Sequence, residues 1–135
     1  MKKKNRKYST EERDFQKFII RVALGHGWLV QHTVAVPVGW GGYFTPIQGT
    51  PGFPDLVLTH PIHKKTLFVE LKRDSQKPRE SQKIWLNSLA ESGSTVCLWQ
   101  PRLMGEILEY LSSPIEPPGR WVVDGQESTQ QEDEK

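Results

Sequence analysis

The chain has 135 residues, of which 36% are hydrophobic and 25% are charged, so we expect one folded, soluble domain with a core of ordinary size. No apolar run approaches the roughly 20 residues of a membrane-spanning helix, and we expect no secretory signal, because no apolar segment follows the basic start. The single cysteine, Cys97, excludes an intrachain disulfide. The net charge of +2 hides a basic cluster in residues 72–83 and an acidic end in residues 127–134, and such local patches govern attraction to a polyanion.

The chain alternates regular segments with segments rich in glycine and proline. Helical spacing of apolar residues, and runs of β-branched and aromatic residues, predict in chain order a helix over 9–25, strands over 28–36, 55–59 and 66–72, a helix over 78–91, a strand over 94–100 and a helix over 102–111. Residues 37–54 predict a long loop, and long loops in compact domains are often functional. The order predicts an α/β fold with a central mixed sheet flanked by helices. Because a helix connects the last two strands, we expect them to be parallel.

Three regions of different character divide the chain. Residues 1–8 are rich in lysine, and we expect them to form a flexible basic arm. Residues 9–111 contain every predicted element and form the expected domain. Residues 112–135 hold several prolines followed by polar residues, so we expect a disordered tail in which residues 121–123 dock locally.

Two charged residues lie on one face of the strand predicted over 66–72. Side chains alternate between the two faces of a strand, so Glu70 and Lys72 point the same way. Apolar residues precede them on both faces, which predicts an internal strand, where a charge needs a partner or a metal ion. Asp55 opens the preceding strand, and pairing of the two strands would bring its carboxylate toward Glu70.

This arrangement of carboxylates indicates a metal site. Two carboxylates held close together repel each other, and a divalent cation removes the repulsion. Mg²⁺ prefers oxygen ligands and commonly uses one or two carboxylates with waters and a phosphate oxygen. We therefore expect Mg²⁺ or Mn²⁺ at Asp55 and Glu70, with Lys72 placed to orient a water or to stabilise charge on a phosphate.

Glu12 is a further candidate, because it lies on the apolar stripe of the first helix, three residues before Phe15. A role in the outer shell of the metal would explain a carboxylate at that position. The alternative is a capping box with Ser9, and the two roles can coexist.

The motifs resemble those of a known group of enzymes. The segment Gly-Phe-Pro-Asp at 52–55, followed by Val-Glu-Leu-Lys at 69–72, resembles the motif of the PD-(D/E)xK nuclease superfamily. Within that superfamily the chain is similar to the stand-alone VRR-NUC domains of phages and bacteria. Those domains show an early Glu with Gln four residues later, as in Glu12 and Gln16.

VRR-NUC domains also show Gln-x-x-Trp in the helix after the Glu-x-Lys strand, as in Gln82 and Trp85. The resemblance extends from Ser9 to about Leu111. It implies a restriction-endonuclease-like αβββαβ core and metal-dependent hydrolysis of DNA, often at branched structures. It also implies action as a homodimer and a cytoplasmic location in a bacterial or phage-infected cell. The implied site consists of Asp55, Glu70 and the carbonyl of Leu71 as metal ligands assisted by Glu12, Lys72 as a catalytic residue and Gln82 as a supporting polar residue.

Several alternatives stay open from the sequence. A DNA-binding module without catalytic activity, or a nuclease acting on linear duplex DNA, would fit the same motifs. Trp40, Tyr43 and Phe44 lie among glycines and could stack on exposed DNA bases or cover a dimer interface. His60 and His63 are three residues apart, but the proline between them favours a plain turn over a zinc site.

Overall fold

A computed structural model of the chain describes residues 10–33, 36–44, 46 and 48–123. The expected basic arm, the capping role of Ser9 and the acidic end of the chain lie outside the described residues. The elements are α1 Thr10–Gly25, β1 Leu29–His32, β2 Val36–Pro37, β3 Tyr43–Phe44, β4 Leu56–His60, β5 Lys65–Leu71, α2 Glu80–Glu91, β6 Thr95–Trp99, a 3-10 turn Pro101–Leu103 and α3 Met104–Ser112.

Four strands form one mixed sheet in the order β1-β4-β5-β6. The pairs β1–β4 and β4–β5 are antiparallel, whereas β5 and β6 are parallel and are joined through α2. The predicted crossover is therefore confirmed. With α1 in front, the order of these elements is αβββαβ, and the predicted α/β fold class, a central mixed sheet flanked by helices, is also confirmed.

The core lies on one face of this sheet. On β4 and β5 the alternate residues Leu56, Leu58, Leu67, Val69 and Leu71 are fully buried. They pack with Phe15, Ile19 and Ala23 of α1 and with Ile107, Tyr110 and Leu111 of α3. Each such side chain contributes roughly 1.5–3 kcal/mol through burial. In the described part of the chain, no helix is long and apolar enough to cross a bilayer.

The expected loop over residues 37–54 is more ordered than predicted. A hairpin pairs Val36 with Phe44 and Pro37 with Tyr43, apart from the main sheet. The strand expected over 28–36 is accordingly shorter, since β1 ends at His32. Strands of two residues carry too little alternation for a sequence pattern to reveal them.

The expectation of a disordered tail from residue 112 onward is corrected for its first half. Residues up to Val123 are described, and residues 119–121 lie along the edge of β6, where Gly119 accepts a hydrogen bond of 2.8 Å from Leu98 and Trp121 donates one of 2.8 Å to Val96. The ring N–H of Trp121 also donates to Asn87 in α2 at 2.7 Å. An edge strand has free backbone groups to satisfy, and this segment satisfies two of those of β6, the N–H of Leu98 and the carbonyl of Val96.

Candidate active site

The ladder between β4 and β5 brings two acidic residues to one end of the sheet. Leu56 pairs with Val69 in this ladder, so Asp55, one residue earlier, lies level with Glu70. Asp55 Oδ2 accepts a hydrogen bond of 2.9 Å from the backbone N–H of Leu71. The structure thus brings Asp55, Glu70 and Leu71 together where β5 ends.

Lys72 lies beside this acidic pair. Its Nζ is 3.5 Å from Glu70 Oε2, and both side chains are buried, with Glu70 only 1% exposed. The backbone N–H of Lys72 donates to the carbonyl of Trp99 at 3.0 Å, which extends the β5–β6 ladder by one residue. A buried ion pair of this kind gives weak evidence for stability, because desolvation of the charges offsets their attraction.

The protein environment disfavours negative charge on both acidic side chains. Burial, followed by repulsion from Asp55, raises the pKa of Glu70 to about 8, although Lys72 opposes the rise. Burial also raises the pKa of Asp55 to about 6, against the hydrogen bond from Leu71 and the charge of Lys72. One ammonium group therefore does not neutralise the pair, and a further cation would let both groups ionise.

The residues present fit a divalent metal ion. Glu70 Oε1 is buried and has no hydrogen-bond partner, so it is a carboxylate oxygen available to a ligand. The donors are oxygen atoms, as Mg²⁺ and Mn²⁺ prefer. Within the described residues, however, no three acidic, histidine or cysteine side chains converge as metal ligands. The remaining ligands would be waters, a phosphate oxygen or a backbone carbonyl such as that of Leu71.

Glu12 lies near this pair without completing a cluster of three carboxylates. It is buried on α1, and burial raises its pKa while Lys72, Arg73 and Arg79 lower it. Its negative charge in turn raises the pKa of Asp55. The structure therefore brings Glu12 to the candidate site but does not place it as a direct third ligand, and a role outside the innermost shell fits its position.

Gln82 is brought close to the site but serves the start of α2. The side chain is buried, and its Oε1 accepts a hydrogen bond of 2.8 Å from the backbone N–H of Arg79. This contact satisfies one of the free N–H groups at the helix start. In the structure Gln82 is thus a helix-capping residue next to the site.

Aromatic contacts hold the segment that leads to Asp55. The ring N–H of Trp85 donates to the carbonyl of Thr50 at 3.2 Å, and the Trp85 ring meets Phe53 edge-on at 4.9 Å between centroids. Phe53 in turn meets Phe68 of β5 at 6.1 Å. Trp85, which the sequence analysis named only through the Gln-x-x-Trp pattern, is half-buried and links α2 to this segment.

Gln100 supports the turn after Lys72, and the sequence did not predict this role. Gln100 is buried, and its Nε2 donates hydrogen bonds of 3.0–3.1 Å to the carbonyls of Arg73, Asp74 and Gln76. It therefore fixes the turn that follows Lys72. A glutamine just after a strand carries no periodic signal, so only the folded chain reveals this role.

Arg79 is another residue whose position the sequence did not reveal. It precedes the first residue of α2, and its positive charge lowers the pKa values of Glu12, Asp55 and Glu70. The sequence assigned it only to the basic cluster of residues 72–83. A basic residue at the start of the helix that follows the Glu-x-Lys strand is the signal that could have found it.

Comparison with known proteins bears on this geometry. Residues 47–101 match the model of the VRR-NUC domain. The family resemblance is confirmed. The matched stretch contains Asp55, Glu70 and Lys72, but not Glu12, and it places this part of the chain among nuclease domains. No curated protein matches the chain. Among solved structures the chain is similar to Hjc, a Holliday junction resolvase from Archaeoglobus fulgidus, with 18% identity, a TM-score of 0.41, and coverage of 67% of this chain and 69% of that one.

The raised pKa values predict how the stability of the protein depends on pH. The pKa of Asp55 is about 6 in the folded state, above the ordinary value of 3.8, so ionisation of Asp55 costs the folded state free energy as pH rises from about 4 to above 6. We therefore expect Asp55→Asn to stabilise the metal-free protein at pH 8 by about 1–2 kcal/mol, or about 5 °C in Tm, and to leave it unchanged at pH 4. Thermal unfolding in EDTA at pH 4, 6 and 8 measures this.

Asp74→Asn is the matched control, because Asp74 is exposed and also accepts a backbone hydrogen bond, from Arg102 at 2.9 Å. We expect no pH-dependent gain from that variant. If Asp55→Asn were less stable than the unmodified protein at pH 8, the proposed cost of the buried charge would be wrong.

Proposed function

We propose that the chain is a metal-dependent DNA endonuclease that hydrolyses phosphodiester bonds, selects branched DNA such as four-way junctions, and acts as a homodimer. One observation carries the proposal. The half-buried Asp55 and the buried Glu70 lie level on adjacent strands, one carboxylate oxygen of Glu70 has no hydrogen-bond partner, and the Lys72 ammonium group is 3.5 Å from Glu70. The family match supports the assignment to nucleases.

The proposed roles follow from the chemistry of each group. Asp55 and Glu70 would hold Mg²⁺ or Mn²⁺, with help from the Leu71 carbonyl, and Glu12 would assist from outside the innermost shell. When bound, the cation would supply Lewis-acid stabilisation of the phosphate and lower the pKa of a water. Gln82 has a supporting role, since it fixes the start of α2 beside the site.

Lys72 is the proposed catalytic residue of the chain itself. A water loses a proton as its oxygen attacks phosphorus, the bond from phosphorus to the leaving ester oxygen breaks, and the leaving oxygen takes up a proton, so that the protons balance. Negative charge builds on the phosphate oxygens in this transition state. The Lys72 ammonium group, held by Glu70, is placed to stabilise that charge or to orient the water.

Selectivity for branched DNA rests on the family resemblance and on the β2–β3 hairpin. Trp40 at its tip is 81% exposed, and Phe44 is also exposed. Unpaired bases at a junction can stack on such rings. The same rings could instead meet a second copy of the chain, and two copies related by a two-fold axis would suit paired cuts in opposite strands.

The proposal predicts a specific result in a cutting assay. Linear, nicked, flapped and four-way DNA of equal length are incubated with the protein at one salt concentration, with Mg²⁺, Mn²⁺ or EDTA. We expect cutting of the four-way or flapped DNA to exceed cutting of the linear duplex by about tenfold or more, and to stop in EDTA. Light scattering on the same preparation is expected to give the mass of a dimer.

Other outcomes would contradict parts of the proposal. Binding without product in Mn²⁺ would favour a DNA-binding module without catalysis. Equal cutting of linear duplex would remove the selectivity, and a monomeric mass would remove the dimer. Cutting in EDTA at the full rate would contradict the metal mechanism.

A further inference from the structure

Three positively charged side chains act on the candidate site, and they differ in solvent exposure. Lys72 is buried and held by Glu70, Arg73 is half-buried, and Arg79 is exposed. A ligand as large as DNA can reach an exposed guanidinium directly, whereas it cannot reach a buried ammonium group without entering the site. Of these three, Arg79 is therefore the cation best placed to meet the substrate first.

The charge of Arg79 acts on all three carboxylates at the candidate site. Its charge lowers the pKa values of Glu12, Asp55 and Glu70, although each effect is smaller than the effect of burial. These carboxylates belong to three different segments, namely α1, the residue before β4, and β5. This effect agrees with the position of Arg79 just before α2, because the first turn of α2 packs on the segment that leads to Asp55.

A hydrogen bond and close packing hold the backbone around Arg79 next to the candidate site. Its N–H donates to the buried Gln82 side chain at 2.8 Å. The first turn of α2 also packs on the segment that leads to Asp55, because a Cβ at Gly52 would overlap the carbonyl of Ser81. Arg79 is therefore anchored at its backbone, while its side chain extends to the surface.

We propose that Arg79 is a substrate-binding residue whose guanidinium binds non-bridging oxygens of a DNA backbone phosphate at the site. A guanidinium group presents paired N–H donors that match two phosphate oxygens, which a lysine ammonium group does not. The N-terminus of α2 adds positive potential at the same position. This inference rests on the proposed function, since it names how the same site holds its substrate.

The test compares the unmodified protein, Arg79→Gln and Arg79→Lys in binding to a four-way DNA junction. Binding is measured in EDTA from about 50 to 200 mM salt, so that the result does not depend on cutting. We expect Arg79→Gln to bind about tenfold more weakly at about 100 mM salt, and the salt slope of log Kd to fall by about 1. Arg79→Lys restores the salt slope but only part of the affinity.

Arg21→Gln is the matched control, because Arg21 is an exposed arginine on α1 that acts on none of the three carboxylates. We expect its affinity to stay within about twofold of the unmodified protein. Mn²⁺ affinity of Arg79→Gln is expected to stay equal or to rise slightly, since a positive charge has been removed.

Unchanged DNA affinity and salt slope in Arg79→Gln would overturn the inference. That result would leave the proposed nuclease function intact. Conversely, an unmodified protein that cuts no DNA would refute the proposed function, while the binding measurement would still decide whether Arg79 contacts phosphate.

Discussion

Replacing Glu70 with glutamine is expected to reduce the rate of DNA cutting by about three orders of magnitude or more, with the fold retained. Glutamine has nearly the same shape but no charge, so it loses most of its affinity for a divalent cation. It also leaves the buried Lys72 ammonium group, 3.5 Å away, without its acidic partner. Single-turnover cutting of a four-way junction in Mg²⁺, with circular dichroism as a measure of folding, checks the expectation.

Glu91→Gln is the control for this prediction, because Glu91 is an exposed glutamate at the end of α2. We expect it to cut at the unmodified rate. Cutting by Glu70→Gln within about tenfold of the unmodified protein would remove Glu70 from the mechanism, since a lost metal ligand has a much larger effect.

Gly52→Ala is expected to destabilise the protein by about 3 kcal/mol and to reduce cutting by about 100-fold. Gly52 has φ +103°, in the region that favours glycine, and an added Cβ would overlap the carbonyl of Ser81 and lie 3.1 Å from the nitrogen of Gln82. The clash would push the segment away from α2, and Asp55 lies three residues further along. Urea unfolding and cutting rates measure the two effects.

Gly49→Ala separates the effect of backbone strain at a positive φ from the effect of a clash with α2. Gly49 also has a positive φ, +124°, but an added Cβ there would meet nothing within 4 Å. We expect it to cost about 1 kcal/mol from backbone strain alone, with near-normal cutting. If both variants lost stability and activity equally, the close approach of Gly52 to α2 would not be what positions Asp55.

Much of the fold follows from local patterns. The apolar stripe of α1 and the alternation in β5 are set by short-range periodicity, and the helix between β5 and β6 leaves parallel pairing as the natural solution. The β2–β3 hairpin is local, but its strands of two residues are too short to show alternation, whereas the docking of residues 113–123 depends on long-range contacts. The Trp121–Asn87 hydrogen bond joins residues 34 apart in sequence, so no local pattern could predict it.

The candidate site likewise has some features that local sequence patterns predict and others that they cannot. Strand alternation and pairing predict that Asp55, Glu70 and Lys72 meet, because their positions depend on backbone geometry alone. The supporting contacts of Gln100 and Trp85 depend on where distant carbonyl groups come to lie. Arg79 was visible as part of a charge cluster, but its relation to the carboxylates depends on how α2 packs beside them.

Crystals of the protein soaked in Mn²⁺ and measured for anomalous scattering would show directly where the cation binds. The account predicts a single strong peak, or a closely spaced pair of peaks, between the carboxylates of Asp55 and Glu70. Occupancy anywhere else, or none at millimolar Mn²⁺ above pH 8, would contradict it.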